Sequence, residues 1–154
     1  MNFSIVLFEP EIPQNTGNII RTCACTGFDL YIVGKPSFSF SDKYLKRSGL
    51  DYHDAANIIK YDNLDLLRND FPDRNFYFLT TKSKNVYTER KFTPGDFFVF
   101  GPETRGLDEE LLIREKDNAL TIPMRKGQRS LNLSNSVAIV AYEAIRQNPA
   151  TISG

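Results

Sequence analysis

The sequence has no tryptophan, a single histidine (His53), two cysteines and two methionines in 154 residues. Each scarcity removes a class of chemistry. A Ser-His-Asp triad would have to be built on His53, and no serine near it sits in a GxSxG elbow. One histidine and two cysteines do not make a zinc set, so no metal site is expected. Cys23 and Cys25 lie two apart on a predicted helix and point to different faces, which keeps them from bridging each other or sharing an ion. They read as buried thiols. Charge of one sign is missing as well, because nineteen basic and nineteen acidic side chains cancel. That excludes whole-surface attraction to polyanions and leaves room for a local basic patch. No apolar run approaches the roughly eighteen residues that span a bilayer. The first residues meet Glu9, Pro10 and Glu11 without a basic segment, unlike a secretory signal. Phosphate-cradling loops are also absent, with no GxxxxGK[ST] anywhere and no GxGxxG after the first strand.

What is present is ordinary globular composition, 41% hydrophobic and 25% charged, enough for one domain over residues 1–154. The expected setting is the cytoplasm, and the expected class an enzyme or binding protein. Short apolar runs rich in strand formers occur at Phe3–Phe8, Leu30–Val33, Asn57–Tyr61, Phe76–Thr80, Phe97–Phe100 and Leu120–Ile122. Between them lie helical segments: one from Asn15 or Thr16 to the stop at Gly27, one over Asp42–Arg47, one over Asn63–Asn69, and EELLIRE behind Asp108. A last helix is capped by Asn132 or Ser134 and ends before Pro149. The alternation predicts an α/β fold with a mainly parallel sheet and helices on both faces. Ligands of such sheets sit beyond the carboxyl ends of the strands. The loops after Leu79, Phe100 and Ile122 are therefore the candidates.

Three polar segments follow from that placement. In FGPETRGL, Gly101 and Gly106 allow close backbone approach or positive φ, and Glu103 can accept hydrogen bonds from a ribose or an amine. The octapeptide reads equally as a tight strand-to-helix turn. The segment from Met124 to Asn135 holds Arg125, Lys126 and Arg129, then Ser130, Asn132, Ser134 and Asn135. One capping residue suffices for a helix, and the surplus points to a polar ligand. In EIPQNTGNIIRTC, Asn15 to Asn18 stand at a helix mouth where free N–H groups favour an anion, with Arg21 one to two turns on. Lys43, Lys46 and Arg47 in DKYLKRSGLDYHD make either a solvated face or a basic one for a phosphate backbone. Finally, Val137 to Ile145 is apolar around most of its circumference. One sheet face needs a stripe of only about 100°. A second apolar face in a short chain predicts a homodimer with this helix at the interface and the first helix near it.

Together, EPEIPQNTGNIIRTCACTGF, LTTK, FGPETRGL and IPM…RSLNLSNSVAIVAYEA resemble the motif set of the SPOUT methyltransferases, in order and across essentially the whole chain. The match is closest to the TrmL (YibK-like) subgroup of tRNA 2′-O-methyltransferases, and LDYH at Leu50–His53 fits it too. The RKGQ segment between Met124 and Arg129 is more basic than the common form, which bears on RNA contact rather than on the cofactor site. The resemblance implies a deep carboxyl-terminal trefoil knot, an exception to the near-absence of knots. It implies S-adenosylmethionine held by Leu79, Gly101, Ile122, Met124, Ser130 and Leu131, with Glu103 and Gly106 shaping the pocket. The implied substrate is the wobble-nucleotide ribose, cytidine or uridine 34, in the anticodon stem-loop of leucine tRNAs, held on a dimer surface. It also implies Arg21 as the base candidate or as a phosphate clamp, with Asn15, Ser130 and Asn132 orienting the groups. Methylation of another tRNA or ribosomal ribose, and RNA binding without catalysis, are the alternatives.

Overall fold

The computed structural model describes residues 1–41, 43 and 56–152. Of the helical piece expected at Asp42–Arg47 only Lys43 is among the described residues, and Lys46, Arg47 and the LDYH segment through His53 lie outside them. Six strands form one sheet: β1 (Ser4–Phe8), β2 (Asp29–Val33), β3 (Ile58–Tyr61), β4 (Phe76–Leu79), β5 (Phe97–Phe100) and β6 (Ala119–Leu120). Their order is β3-β2-β1-β5-β4-β6 and every pairing is parallel. The helices are α1 (Pro13–Thr26), α2 (Leu64–Asp70), α3 (Glu109–Arg114) and α4 (Leu133–Gln147).

The strands are apolar at consecutive positions because both sheet faces are covered. Ile5, Leu7, Leu30, Ile32, Phe98 and Phe100 pack with Ile19, Ile20 and Cys23 of α1 and with Val137, Val140, Ala141 and Ala144 of α4. The intervening positions, Val6, Tyr31, Val33, Phe76, Phe78, Phe97 and Val99, pack with Leu67 of α2 and Leu111 and Leu112 of α3. Register keeps like with like: Val6 lies opposite both Tyr31 and Val99, and Phe78 opposite Val99. The absent tryptophan is replaced by phenylalanine clusters, Phe76 on Phe97 at 4.4 Å and Phe92 edge-on to Phe98 at 4.8 Å. Offset and edge-to-face pairs of this kind add about 0.5–1.5 kcal/mol beyond burial.

Several boundaries differ from the sequence reading. Helix α1 starts at Pro13, three residues before the start that an Asn15 cap would give, because proline is preorganised for the first helical position. Asn15 and Thr16 therefore lie inside the first turn and do not cap it. Asp108 precedes α3 without a side-chain cap bond, so the first-turn Glu109 and Glu110 supply the favourable charge at that end. Strand β6 is two residues long, and Thr121 continues it only as a single bridge to Val86. Cys23 is buried and its thiol is pushed up to about 12 by burial and by Asp29, whereas Cys25 is exposed, against the expectation of two buried thiols. Gly27 ends α1 in the left-handed conformation with its N–H on the Cys23 carbonyl.

Candidate active site

Because the strands are all parallel, their carboxyl ends share one edge of the sheet. A cavity of about 670 Å³ opens there over β4, β5 and β6 and reaches the mouth of α1, within the usual size of small-molecule sites. The first loop contributes Leu79 and then Thr80, Thr81 and Lys82. From the second come Gly101, Glu103, Gly106 and the buried Leu107. Ile122, Met124, Ser130 and Leu131 come from the third, followed by Asn132. Ile12 and Asn15 close the side at α1. All eight positions assigned to the cofactor thus border one space, and so do Asn15 and Asn132. Arg21 does not line it. It stands exposed on α1, about 9 Å along the axis from Asn15 and about 120° around the helix by ideal geometry.

The glycines of FGPETRGL meet two separate demands. A Cβ on Gly101 would sit 2.4 Å from the backbone of Gly106 and of Leu107, so the loop folds back on itself only if that position is bare. Gly106 has φ +67, a conformation that side chains disfavour. Between them Glu103 turns toward α1. Its carboxylate accepts from the Glu11 and Ile12 N–H groups, both at 2.8 Å, and from Asn15 Nδ2 at 3.2 Å. Ile12 is the residue at the head of α1 and has no side chain able to cap it. The anion expected at this helix mouth is therefore Glu103 itself, delivered from the far loop. With these partners it acts on the protein backbone, where the sequence suggested a ribose or an amine.

The contact is returned by the opposite segment. Glu11 accepts from the Thr104 N–H at 2.8 Å and from the Thr104 hydroxyl. The Thr104 N–H, then its hydroxyl, and then Arg105 hold the Glu11 carboxyl below its ordinary range. Glu9, at φ +45 just after β1, carries an ion pair to Arg105 at 3.0 Å. EPE and ETR are thus interleaved, Glu103 binding the backbone of one segment and Glu11 and Glu9 binding Thr104 and Arg105 of the other.

Asn132 continues the polar chain. Its Nδ2 donates to Asn15 Oδ1 at 3.0 Å, while its Oδ1 accepts from the Asn135 N–H and the Ser134 hydroxyl. Asn132 is thereby the cap of α4 and the tie between α4 and α1. Glu103, Asn15 and Asn132 form a continuous line of side-chain hydrogen bonds across three segments of the site. Ser130 and Leu131 stay exposed at the rim. Leu133 packs on the core, and Leu131 does not, so only part of this segment is held down as its alternation suggested. Lys82, Ile12 and Leu107 were missed by the sequence reading. Lys82 closes the quoted LTTK, where it was given no role, and is tied to Glu109 at 3.2 Å. Among the described residues no set of three potential metal ligands comes together, and no helix is long and apolar enough to cross a membrane.

Comparison with known proteins places this geometry in context. The SpoU rRNA methylase family profile matches residues 2–142. A tRNA (cytidine(34)-2′-O)-methyltransferase from Methylovorus glucosotrophus is 50% identical over 149 residues, covering 95% of this chain and 96% of that protein. A solved structure concerned with the 2-OH methylation of C/U34 on tRNA superposes with TM-score 0.91 at 38% identity, covering 96% of this chain and 97% of the other. The methyltransferase AviRb from Streptomyces viridochromogenes, in complex with AdoMet, shares the fold at TM-score 0.86 and 21% identity, over 97% of this chain and 61% of its own.

Proposed function

Because the chain belongs to the SpoU rRNA methylase family, we propose that it transfers the methyl group of S-adenosylmethionine to the 2′-oxygen of nucleotide 34, a cytidine or uridine, in leucine tRNAs of the cytoplasm. The observation that carries the reading is one cavity bordered by all three motif loops and by the mouth of α1. Its residues suit the cofactor. Leu79, Ile122 and Leu131 offer apolar walls for a nucleoside, and the closely packed Gly101 turn lines it with backbone. When bound, that cofactor would supply the methyl group from its sulfonium centre, with the neutral thioether as leaving group.

What the chain adds is position and charge. Ser130 and the second Nδ2 hydrogen of Asn132 stand at the rim, where a ribose hydroxyl is to be oriented. Asn15 sets the Asn132 amide, since its Oδ1 already accepts from it. Arg21 clamps an RNA phosphate beside the mouth and stabilises the alkoxide charge as it develops, the proton passing to that phosphate or to a water. The fold proposed with this site includes the carboxyl-terminal trefoil knot.

A homodimer completes the proposal. Tyr142 is 49% exposed, and Ala138 and Ile139 are only partly covered. They leave an apolar stripe on α4 beside α1 for a second copy.

The test is methylation of total tRNA with labelled cofactor, followed by mapping of the labelled nucleotide. Label on the 2′-oxygen of nucleotide 34 in leucine isoacceptors is expected. Label only elsewhere in tRNA or in ribosomal RNA would reassign the substrate. No transfer, together with no calorimetric heat from S-adenosylmethionine at millimolar concentration, would leave RNA binding without catalysis.

A further inference from the structure

The cavity described above uses the carboxyl ends of β4, β5 and β6, but those of β2 and β3 lie along the same edge of the parallel sheet. A second hollow of about 550 Å³ opens over them, between Gly34–Phe40 and Lys60. The loop alternates, with Lys35, Ser37 and Ser39 exposed and Phe38 and Phe40 half-buried. Both rings rest on the core cluster while also lining the hollow, with centroids 6.0 Å apart. Lys60 Nζ lies 4.4 Å over the Phe40 ring. Among the described residues no carboxylate pairs with Lys35 or Lys60.

We propose that this hollow is a second RNA subsite, in which Phe38 stacks one unpaired base of the substrate and Lys35 and Lys60 take the adjoining phosphates. The proposal rests on the tRNA reading above and names a surface that reading does not use. Three features favour a single strand of nucleic acid as the occupant. An aromatic face accepts any base, since every base has a π-face. The Phe40 ring holds the Lys60 ammonium in place by a cation–π contact, so the charge is preorganised for a phosphate. Position is the third. β2 is two strand positions from β5 and three from β4, so at about 4.8 Å per strand the hollow lies roughly 10–15 Å from the methyl-transfer cavity. That is the reach of a loop a few nucleotides beyond the modified ribose. An acidic peptide would satisfy the lysines but leave the ring without a flat partner.

The experiment is binding of a leucine anticodon stem-loop by fluorescence anisotropy across a salt series, with steady-state methylation of the same RNA. For Lys35→Ala/Lys60→Ala, the slope of log affinity against log salt is expected to flatten by about 1.4, two single-strand phosphates at about 0.7 each. KM for RNA should rise while kcat and affinity for S-adenosylmethionine stay unchanged. Phe38→Leu, which keeps an apolar contact with the core, is expected to weaken RNA binding about 5- to 100-fold, and Phe38→Tyr to restore it. A lysine variant with wild-type salt slope and KM overturns the proposal while wild-type activity stands. So does a Phe38→Leu variant with wild-type affinity. A wild-type protein that methylates no tRNA overturns the functional reading and this subsite with it.

Discussion

Replacing Glu103 by alanine separates two roles that predict opposite signatures. If Glu103 serves a ligand ribose, its loss weakens cofactor binding and leaves the free protein as stable as before. The structure gives it a different task, since its carboxylate takes two backbone N–H groups at 2.8 Å at the head of α1 and the Asn15 amide at 3.2 Å. Losing a helix cap costs about 1 kcal/mol. The lost charge–dipole attraction costs about 0.5 kcal/mol, taken low because the carboxylate is only partly buried. The Asn15 amide, in a residue 6% exposed, loses its acceptor at a further cost of about 1 kcal/mol. Glu103→Ala should therefore destabilise the ligand-free protein by about 2–3 kcal/mol in urea titration, equivalent to a fall in Tm of about 5–10 °C for a chain of this size. Glu103→Gln keeps one acceptor oxygen and should lose about half as much. A Glu103→Ala protein within about 0.5 kcal/mol of wild type, but with cofactor affinity reduced, would refute the capping argument and restore the ribose contact.

Gly101→Ala places a methyl 2.4 Å from the Gly106 and Leu107 backbone, so overpacking of about 1–3 kcal/mol and a loss of calorimetric cofactor binding are expected. Arg21→Ala should abolish transfer in the labelled-tRNA assay while cofactor heats persist, and normal turnover would exclude Arg21 from the reaction. Glu143 is held below its ordinary value first by the hydrogen bond from Arg146, then by Gln147. A depressed folded pKa contributes stability above the unfolded value, lost as pH falls through the folded one. The stability gap between wild type and Glu143→Gln should therefore shrink from about pH 7 to about pH 3, and a constant gap would contradict it. Ile139→Asp/Tyr142→Asp should halve the mass seen by light scattering if α4 carries the dimer contact, and an unchanged mass would place that contact elsewhere.

The linear pattern was sufficient for the elements and for the neighbourhood of the site. Runs such as FFVF and FYFL carry strand propensity and apolar character at consecutive positions, which is what a sheet covered on both faces requires. Parallel strands put every strand-to-helix loop on one edge, and the loops after Leu79, Phe100 and Ile122 meet there because β5, β4 and β6 are neighbours in the strand order. What the pattern could not supply is which polar group meets which. The cap of α1 comes from a residue 88 positions beyond Asn15, and the tie from Asn132 spans 117. Contacts of that separation depend on β5 lying next to β1 and on α4 lying next to α1, and no local propensity encodes either neighbour. In the surplus of Ser and Asn at the mouth of α4, the sequence left the cap open between Asn132 and Ser134. Only the tertiary structure decided that Asn132 does the capping and holds Asn15 as well, leaving Ser130 at the rim, because a side chain's hydrogen bonds are allotted by where the folded backbone places its competitors.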